Sequence, residues 1–144
     1  NAWRVITYID SSLFLKLLFD EQGTSQAQML WDSDPVLISS RLLRIEARAT
    51  LARRKLDRRI TSQESKIVAQ TFDDLWARLT VVEISEQVAE SACEIAESTR
   101  LRSLDAIHLA SAMAVSADLF GSSDVRLCNA ASELGFAVLN PEAN

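Results

Sequence analysis

Short, unbroken apolar runs alternate with longer helix-like stretches along this chain, and that alternation limits the fold more than any other feature. Val5-Ile6-Thr7-Tyr8-Ile9, Val36-Leu37-Ile38, Leu79-Thr80-Val81-Val82 and Ala137-Val138-Leu139 read as strands, rich in β-branched and aromatic residues. Continuous rather than alternating apolar strands are buried on both faces, the property of a parallel sheet packed between helices. In open sheets of this kind, ligands bind beyond the carboxyl ends of the strands.

The helices carry their own start signals. Ser11 and Ser12 offer an N-cap for Leu13 to Leu18, and Gly23 opens a helix carrying Ala27, Leu30 and Trp31 before a turn at Asp34-Pro35. Ser39 or Ser40 caps a long helix whose Leu42, Ile45, Ala49, Ala52 and Leu56 recur at helical spacing, giving it an apolar face. A helix from about Ser62 to Trp76 begins with a capping-box pattern at Thr61 or Ser62, and Ser85 starts another through Val88, Ala92, Ile95 and Ala96. Ser103 caps the stretch Leu104 to Ala117, which is apolar nearly all round and therefore expected to be central and buried. Leu119-Phe120 leads through Gly121-Ser122-Ser123-Asp124 to a short last helix that Gly135 ends.

No linker, repeat or low-complexity stretch interrupts this order, so residues 1–144 are read as one domain, with Asn1-Ala2 carrying no weight. Only 3 Gly and 2 Pro exclude a disordered or collagen-like chain. A net charge of -5 argues against a protein that coats nucleic acid over its whole surface, yet it leaves room for a nuclease. Cys93 and Cys128 have no metal-ligand spacing and are expected to be buried, reduced thiols in a cytoplasmic protein. No secretory signal is visible, and Leu13 to Phe19, broken by Lys16, is too short to span a bilayer, so no membrane association is expected.

Four acids stand where a strand ends or a helix begins: Asp10, Glu46, Asp105 and Asp124. Each has a plain explanation alone. Asp10 and Asp124 can cap helices, Glu46 can pair with a neighbouring arginine, and Asp105 can complement a helix dipole. Together, one end of the sheet can gather all four. Asp105 lies among Leu104, Ala106, Ile107, Leu109 and Ala110, where a carboxylate without a partner is costly and a cation relieves it. Oxygen donors without a Cys or His cluster select Mg²⁺ or Mn²⁺ over zinc. His108, the only histidine, is expected to be a packed, hydrogen-bonded side chain and is kept out of the site. No glycine-rich phosphate loop and no nucleophile elbow is present.

The segments Tyr8-Ile9-Asp10-Ser11-Ser12, Ser40 through Glu46, Leu104-Asp105-Ala106-Ile107-His108-Leu109-Ala110 and Ser122-Ser123-Asp124, with Leu127, Ala130, Ala131 and Gly135, resemble the PIN-domain nucleases. The likeness is greatest to the VapC toxins of prokaryotic toxin–antitoxin pairs. It runs over nearly the whole chain, and Leu104 to Ala110 is its most specific part. The resemblance implies a three-layer α/β/α sandwich with a mostly parallel five-stranded sheet and a Mg²⁺- or Mn²⁺-dependent endoribonuclease. By position, Asp10, Glu46, Asp105 and Asp124 match the family's acidic quartet, and Ser12 matches a hydroxyl beside the first acid. Ser122 stands where threonine is more usual and keeps the hydroxyl. The resemblance also implies a cognate antitoxin and a homodimer, for which Phe14, Phe19 and Trp31 are candidate exposed residues.

At such a site Asp10 and Asp105 are the firmest expected metal ligands, Glu46 and Asp124 complete the shell, and Ser12 holds Asp10. Between Arg41 and Arg59 there are seven arginines and one lysine against Glu46 and Asp57, so Arg41, Arg44 and Arg48 are candidates for holding RNA phosphates. The competing expectation is a catalytically inactive PIN-like module that binds RNA or an antitoxin. A phosphatase of the haloacid dehalogenase type is set aside, because it needs a second acid where this chain has Ser12.

Overall fold

The computed structural model describes residues 4–34 and 36–143. Among them the order is β1 (Thr7–Ile9), α1 (Ser11–Leu18), α2 (Thr24–Ser33), β2 (Leu37–Ser40), α3 (Arg41–Leu56), α4 (Ser62–Trp76), β3 (Thr80–Val82), α5 (Glu86–Ser98), α6 (Ser103–Ala114), β4 (Leu119–Gly121), α7 (Val125–Glu133) and β5 (Ala137–Leu139). Asn1, Ala2 and the Pro35 half of the expected turn lie outside the described residues.

All five strands are parallel, in the order β3-β2-β1-β4-β5. The fifth is β4, which the apolar runs alone did not reveal, because its three residues end in Gly121. That glycine is required by packing: a Cβ there would meet Leu13 Cδ1 at 2.9 Å, so the bare backbone lets α1 lie against the sheet. From β1 the chain steps to β2 and β3 on one side, then returns to β4 on the other. The carboxyl ends of β1 and β4 therefore flank the point where strand order reverses, the usual crevice of an open α/β sheet.

Neighbouring strand residues face opposite sides and divide the core in two. Tyr8 and Ile38 join Val88, Ile95, Leu109 and Leu127 under α5, α6 and α7. Ile9 and Leu37 join Leu13, Phe14, Trp31, Leu43, Ala47 and Phe72 under α1 to α4. The result is the three-layer α/β/α sandwich that the alternation implied.

Local chemistry sets most helix starts. Thr61 and Glu64 close a reciprocal capping box, and Ser40 and Ser85 accept first-turn N–H groups. Three expectations are corrected. Asp10 itself, not Ser11 or Ser12, caps α1. Arg102 precedes α6 without a side-chain cap, so Ser103 is its first residue rather than its cap. α6 also stops at Ala114, because Ser116 takes a left-handed φ of 52° and turns the chain back toward β1.

The long helix α3 buries a different face from the one expected. Leu42, Leu43 and Ala47 are covered, whereas Ile45 and Leu56 are 61% and 82% exposed. Phe14 and Trp31 are also corrected as surface candidates. Both are buried, and Phe14 packs edge-on against Trp31 and Phe72 at 6.1 and 5.7 Å. Both cysteines are free, but Cys93 is exposed and only Cys128 is buried.

Candidate active site

Asp10 follows the last residue of β1 and is 4% exposed. Its Oδ1 accepts the Leu13 N–H at 3.0 Å as the α1 cap, and Ser12 Oγ donates to both carboxylate oxygens at 2.7 and 2.9 Å. Ser122, just past β4, donates to Oδ2 at 2.7 Å and accepts the Asp124 N–H at 3.0 Å. The Ser123 N–H closes the loop onto Ser12 Oγ at 2.9 Å. Two serines thus clasp one carboxylate across the β1–β4 crevice. Burial pushes the Asp10 carboxyl above the usual carboxylate range, and the charge of His108, Ser122, the Leu13 N–H and Ser12 only partly oppose it.

Asp124 caps α7, accepting the Arg126 and Leu127 N–H groups at 2.9 and 3.2 Å through Oδ1 alone. Asp105 sits in the first turn of α6 and is half-buried. Burial raises its carboxyl first and the charge of Asp124 next, opposed by His108; Asp10 raises it further and Arg102 lowers it. Asp105 therefore feels the charge of both Asp124 and Asp10, a repulsion that a cation would neutralise.

Glu46 is held differently. Its Oε1 accepts from His108 Nε2 at 2.7 Å and from Ser11 Oγ. Its ion-pair partner is His108, not the neighbouring arginine that offered the plain explanation. Burial alone would raise the Glu46 carboxyl, but the His108 hydrogen bond, the His108 charge and Ser11 together bring it below the ordinary value. His108 Nδ1 lies 2.7 Å from Tyr8 Oη. Burial drives the Tyr8 phenol far above its usual range, so it keeps its proton. His108 thus joins Tyr8 through Nδ1 to Glu46 through Nε2.

His108 is thus packed and hydrogen-bonded as expected, and one of its partners is the site candidate Glu46. Tyr8 and Ser11 were not foreseen in any site role. The His108–Glu46 contact spans 62 positions of sequence, so no local pattern could reveal it. Arg102, whose charge lowers the Asp105 carboxyl, was also missed; its place three positions before Asp105, at the start of α6, was the available signal.

The basic candidates are placed outside the clasp. Arg41 is tied to Glu83 by hydrogen bonds of 2.9 and 2.6 Å, and Arg44 lies over Phe72 and Trp76 at 5.6 and 5.7 Å. Arg48 is exposed at the groove between α3 and α4.

The donors suit a hard divalent cation: carboxylate oxygens, two of them on acids raised by burial, Asp105 also by the charge of Asp124 and Asp10. Among the described residues, however, no three His, Cys, Asp or Glu side chains already stand together as a ready-made ligand group. An ion would have to draw Asp10, Asp105 and Asp124 inward, and would gain Glu46 only by competing with His108.

The PIN domain family matches residues 7–133. Ribonuclease VapC45 of Mycobacterium tuberculosis is 40% identical over 110 residues, covering 76% of each chain. Ribonuclease VapC47 of the same organism is 32% identical over 138 residues, covering 94% of this chain and 97% of the relative. A toxin–antitoxin complex from Klebsiella pneumoniae contains a chain of the same fold, with a TM-score of 0.66, 18% identity, and 94% and 97% of the two chains covered. With its element order, its crevice and these relatives all in agreement, this chain belongs to the PIN domain family.

Proposed function

We propose that this chain is a Mg²⁺- or Mn²⁺-dependent endoribonuclease, the toxin of a toxin–antitoxin pair, cutting RNA phosphodiester bonds at the β1–β4 crevice. The observation that supports it most is the buried Asp10 carboxylate, clasped by Ser12 and Ser122 at the carboxyl ends of β1 and β4, with Asp105 close enough to feel the charge of Asp10 and Asp124. Relatives named ribonucleases support RNA as the substrate.

Asp10 and Asp105 would be the principal metal ligands, joined by Asp124 through its uncommitted oxygen and by Glu46 once it leaves His108. A bound divalent cation supplies charge neutralisation at phosphorus and a lowered pKa for the attacking water. The chain's own residues do the rest. Ser12 and Ser122 hold the Asp10 carboxylate in place at the crevice. Glu46, once it leaves His108, would complete the shell or orient the attacking water. Arg102 lies where its charge offsets that of Asp105 and can meet a phosphate oxygen; Arg48 can meet a more distant one, while Arg41 and Arg44 must first give up their protein partners.

The deciding experiment is RNA cleavage with Mg²⁺, with chelator, and with Asp105→Asn. Chelator and the substitution should each abolish cleavage without unfolding the protein. Undiminished cleavage in either case would sink the metal mechanism. The second reading, an inactive module that binds RNA or an antitoxin, is favoured by one observation: Glu46 is turned to His108 and Ser11 rather than into the acidic trio. Metal-independent RNA binding without cleavage, unaffected by Asp10→Asn, would establish it.

We further propose an antitoxin partner, a homodimer and a cytoplasmic location. The apolar surface open to protein partners includes Ile45 and Leu56 on α3 and Ile67 on α4, not Phe14 or Trp31. Among the described residues no helix is long and apolar enough to cross a membrane.

A further inference from the structure

We propose that Lys16 and Glu142 are positioning residues for the Asp10 clasp. Their ion pair sets how α1 lies across the carboxyl ends of β4 and β5, and with it the geometry in which Asp10 meets a divalent cation; the cation rests on the metal-site reading above. Lys16 is 3% exposed and, among the described residues, is the only buried lysine or arginine. It interrupts an apolar run, and no step assigned to the acids uses it.

Ser12 and Lys16 stand one helical turn apart on α1 and so share a face. Ser12 Oγ accepts the Ser123 N–H at 2.9 Å and lies 3.3 Å from Ser122 Oγ, just past β4. Lys16 Nζ meets Glu142 at 2.8 Å, past the neighbouring strand β5, and Glu21 at 3.2 Å. The two turns reached in this way are themselves joined, since the Ser122 N–H donates to Leu139 O at 3.0 Å. One face of α1 is thus pinned in its first turn by the clasp serine and in its next turn by the ammonium.

Stability alone does not call for a charge at this position. An apolar side chain of similar volume would serve burial as well, without the cost of desolvating an ammonium. Burial on its own would lower the Lys16 pKa, but Glu142 and Glu21 together bring it above the ordinary lysine value, so the charge is kept. An ion pair adds direction, and the turn after β5 is built to hold its end. Pro141 is buried, and Gly23 takes a left-handed φ of 88° where an added Cβ would stand 3.0 Å from Pro141 O. Thr24 Oγ1 donates to Lys16 O at 2.9 Å, fixing the far end of α1. The pins at Ser12 and Lys16 lie roughly 6 Å apart along the helix axis. A tilt of α1 released at Lys16 therefore reaches Ser12, and a ligand-holding constellation tolerates only about 0.5 Å of displacement.

The test changes Glu142, whose side chain is 36% exposed and can be shortened without opening the core. Amide hydrogen exchange is followed in chelator, and Mn²⁺ affinity by calorimetry, for the wild type, Glu142→Ala and Glu142→Gln. In Glu142→Ala, exchange at the Leu13 and Ser123 N–H groups should quicken at least about fivefold, while Glu64 in the α4 capping box stays unchanged. Mn²⁺ affinity should fall about three- to tenfold, less than for loss of a group bonded to the ligand itself. Glu142→Gln keeps an oxygen for the ammonium and should recover most of both effects. Exchange quickened equally at Glu64, or unchanged at Leu13 and Ser123, would overturn the proposal. So would local quickening with unaltered Mn²⁺ affinity, which would leave the pair a purely structural one. A wild type that binds no Mn²⁺, with the exchange changes as expected, would uphold the positioning of the clasp and overturn the metal reading.

Discussion

Asp10 and Glu46 are both acids drawn out of water near the same histidine, yet the fold treats them in opposite ways. Asp10 is clasped by two serine hydroxyls and one backbone N–H, and burial still raises its carboxyl. Glu46 touches His108 directly and is lowered despite its burial. Neutral hydrogen bonds orient a carboxylate without cancelling its charge, whereas a direct contact with a cationic or strongly donating ring does. The β1–β4 clasp thus leaves charge for an external cation to neutralise, and the Tyr8–His108–Glu46 chain settles its charge internally.

The sharpest way to break this contrast is to remove each charge at nearly constant shape. Asp10→Asn should lower cleavage by at least about 100-fold, a few kcal/mol of transition-state stabilisation. In chelator the same substitution should raise the melting temperature at neutral pH, because it deletes a buried charge. Glu46→Gln should instead destabilise by roughly 1–3 kcal/mol, the worth of a charged hydrogen bond. If both substitutions shift melting in the same direction, the contrast fails.

The pH dependence carries opposite signs too. With its folded pKa raised, Asp10 holds its proton where the unfolded chain has released it, so its contribution to stability is lost as pH rises through that raised value. Glu46, lowered, contributes above the ordinary carboxylate value, and that contribution is lost as pH falls through its folded pKa. Thermal melts across pH should therefore show the Asp10→Asn advantage fading below the usual carboxylate range, and the Glu46→Gln penalty fading there as well.

Smaller effects test the supports. Ser122→Ala leaves the Asp10 charge but loosens its geometry, so divalent affinity by calorimetry should fall roughly 10- to 100-fold. An unchanged affinity would mean that the clasp serves folding alone. Tyr8→Phe removes the hydrogen-bond partner of His108 Nδ1; it should cost about 1 kcal/mol and lower cleavage several-fold through Glu46. Thr61→Ala, far from either acid, should cost about 1 kcal/mol of stability with no change in catalytic rate constant.

Much of the framework was legible locally. Ala137–Leu139 and Ser62–Trp76 are the elements the residues implied, because short apolar runs and capping boxes act within a few positions. The clasp was half legible: Ser12 sits two residues from Asp10, but Ser122 is 112 positions away and entered only through the family resemblance. The role of His108 was not legible, since its partners Tyr8 and Glu46 lie 100 and 62 positions distant.

By itself, the sequence determined the alternation of strand and helix, the caps, and which acids stand at element ends, all consequences of short-range sterics and hydrogen bonding. Tertiary structure decided which side of each helix went inward. α3 carries apolar residues on more than one face, and only packing against α1 and α4 chose Leu43 and Ala47 over Ile45 and Leu56. It also decided that Asp10 would be clasped and Glu46 latched. The charge of a buried acid depends on the groups that folding brings to it, and those come from distant parts of the chain.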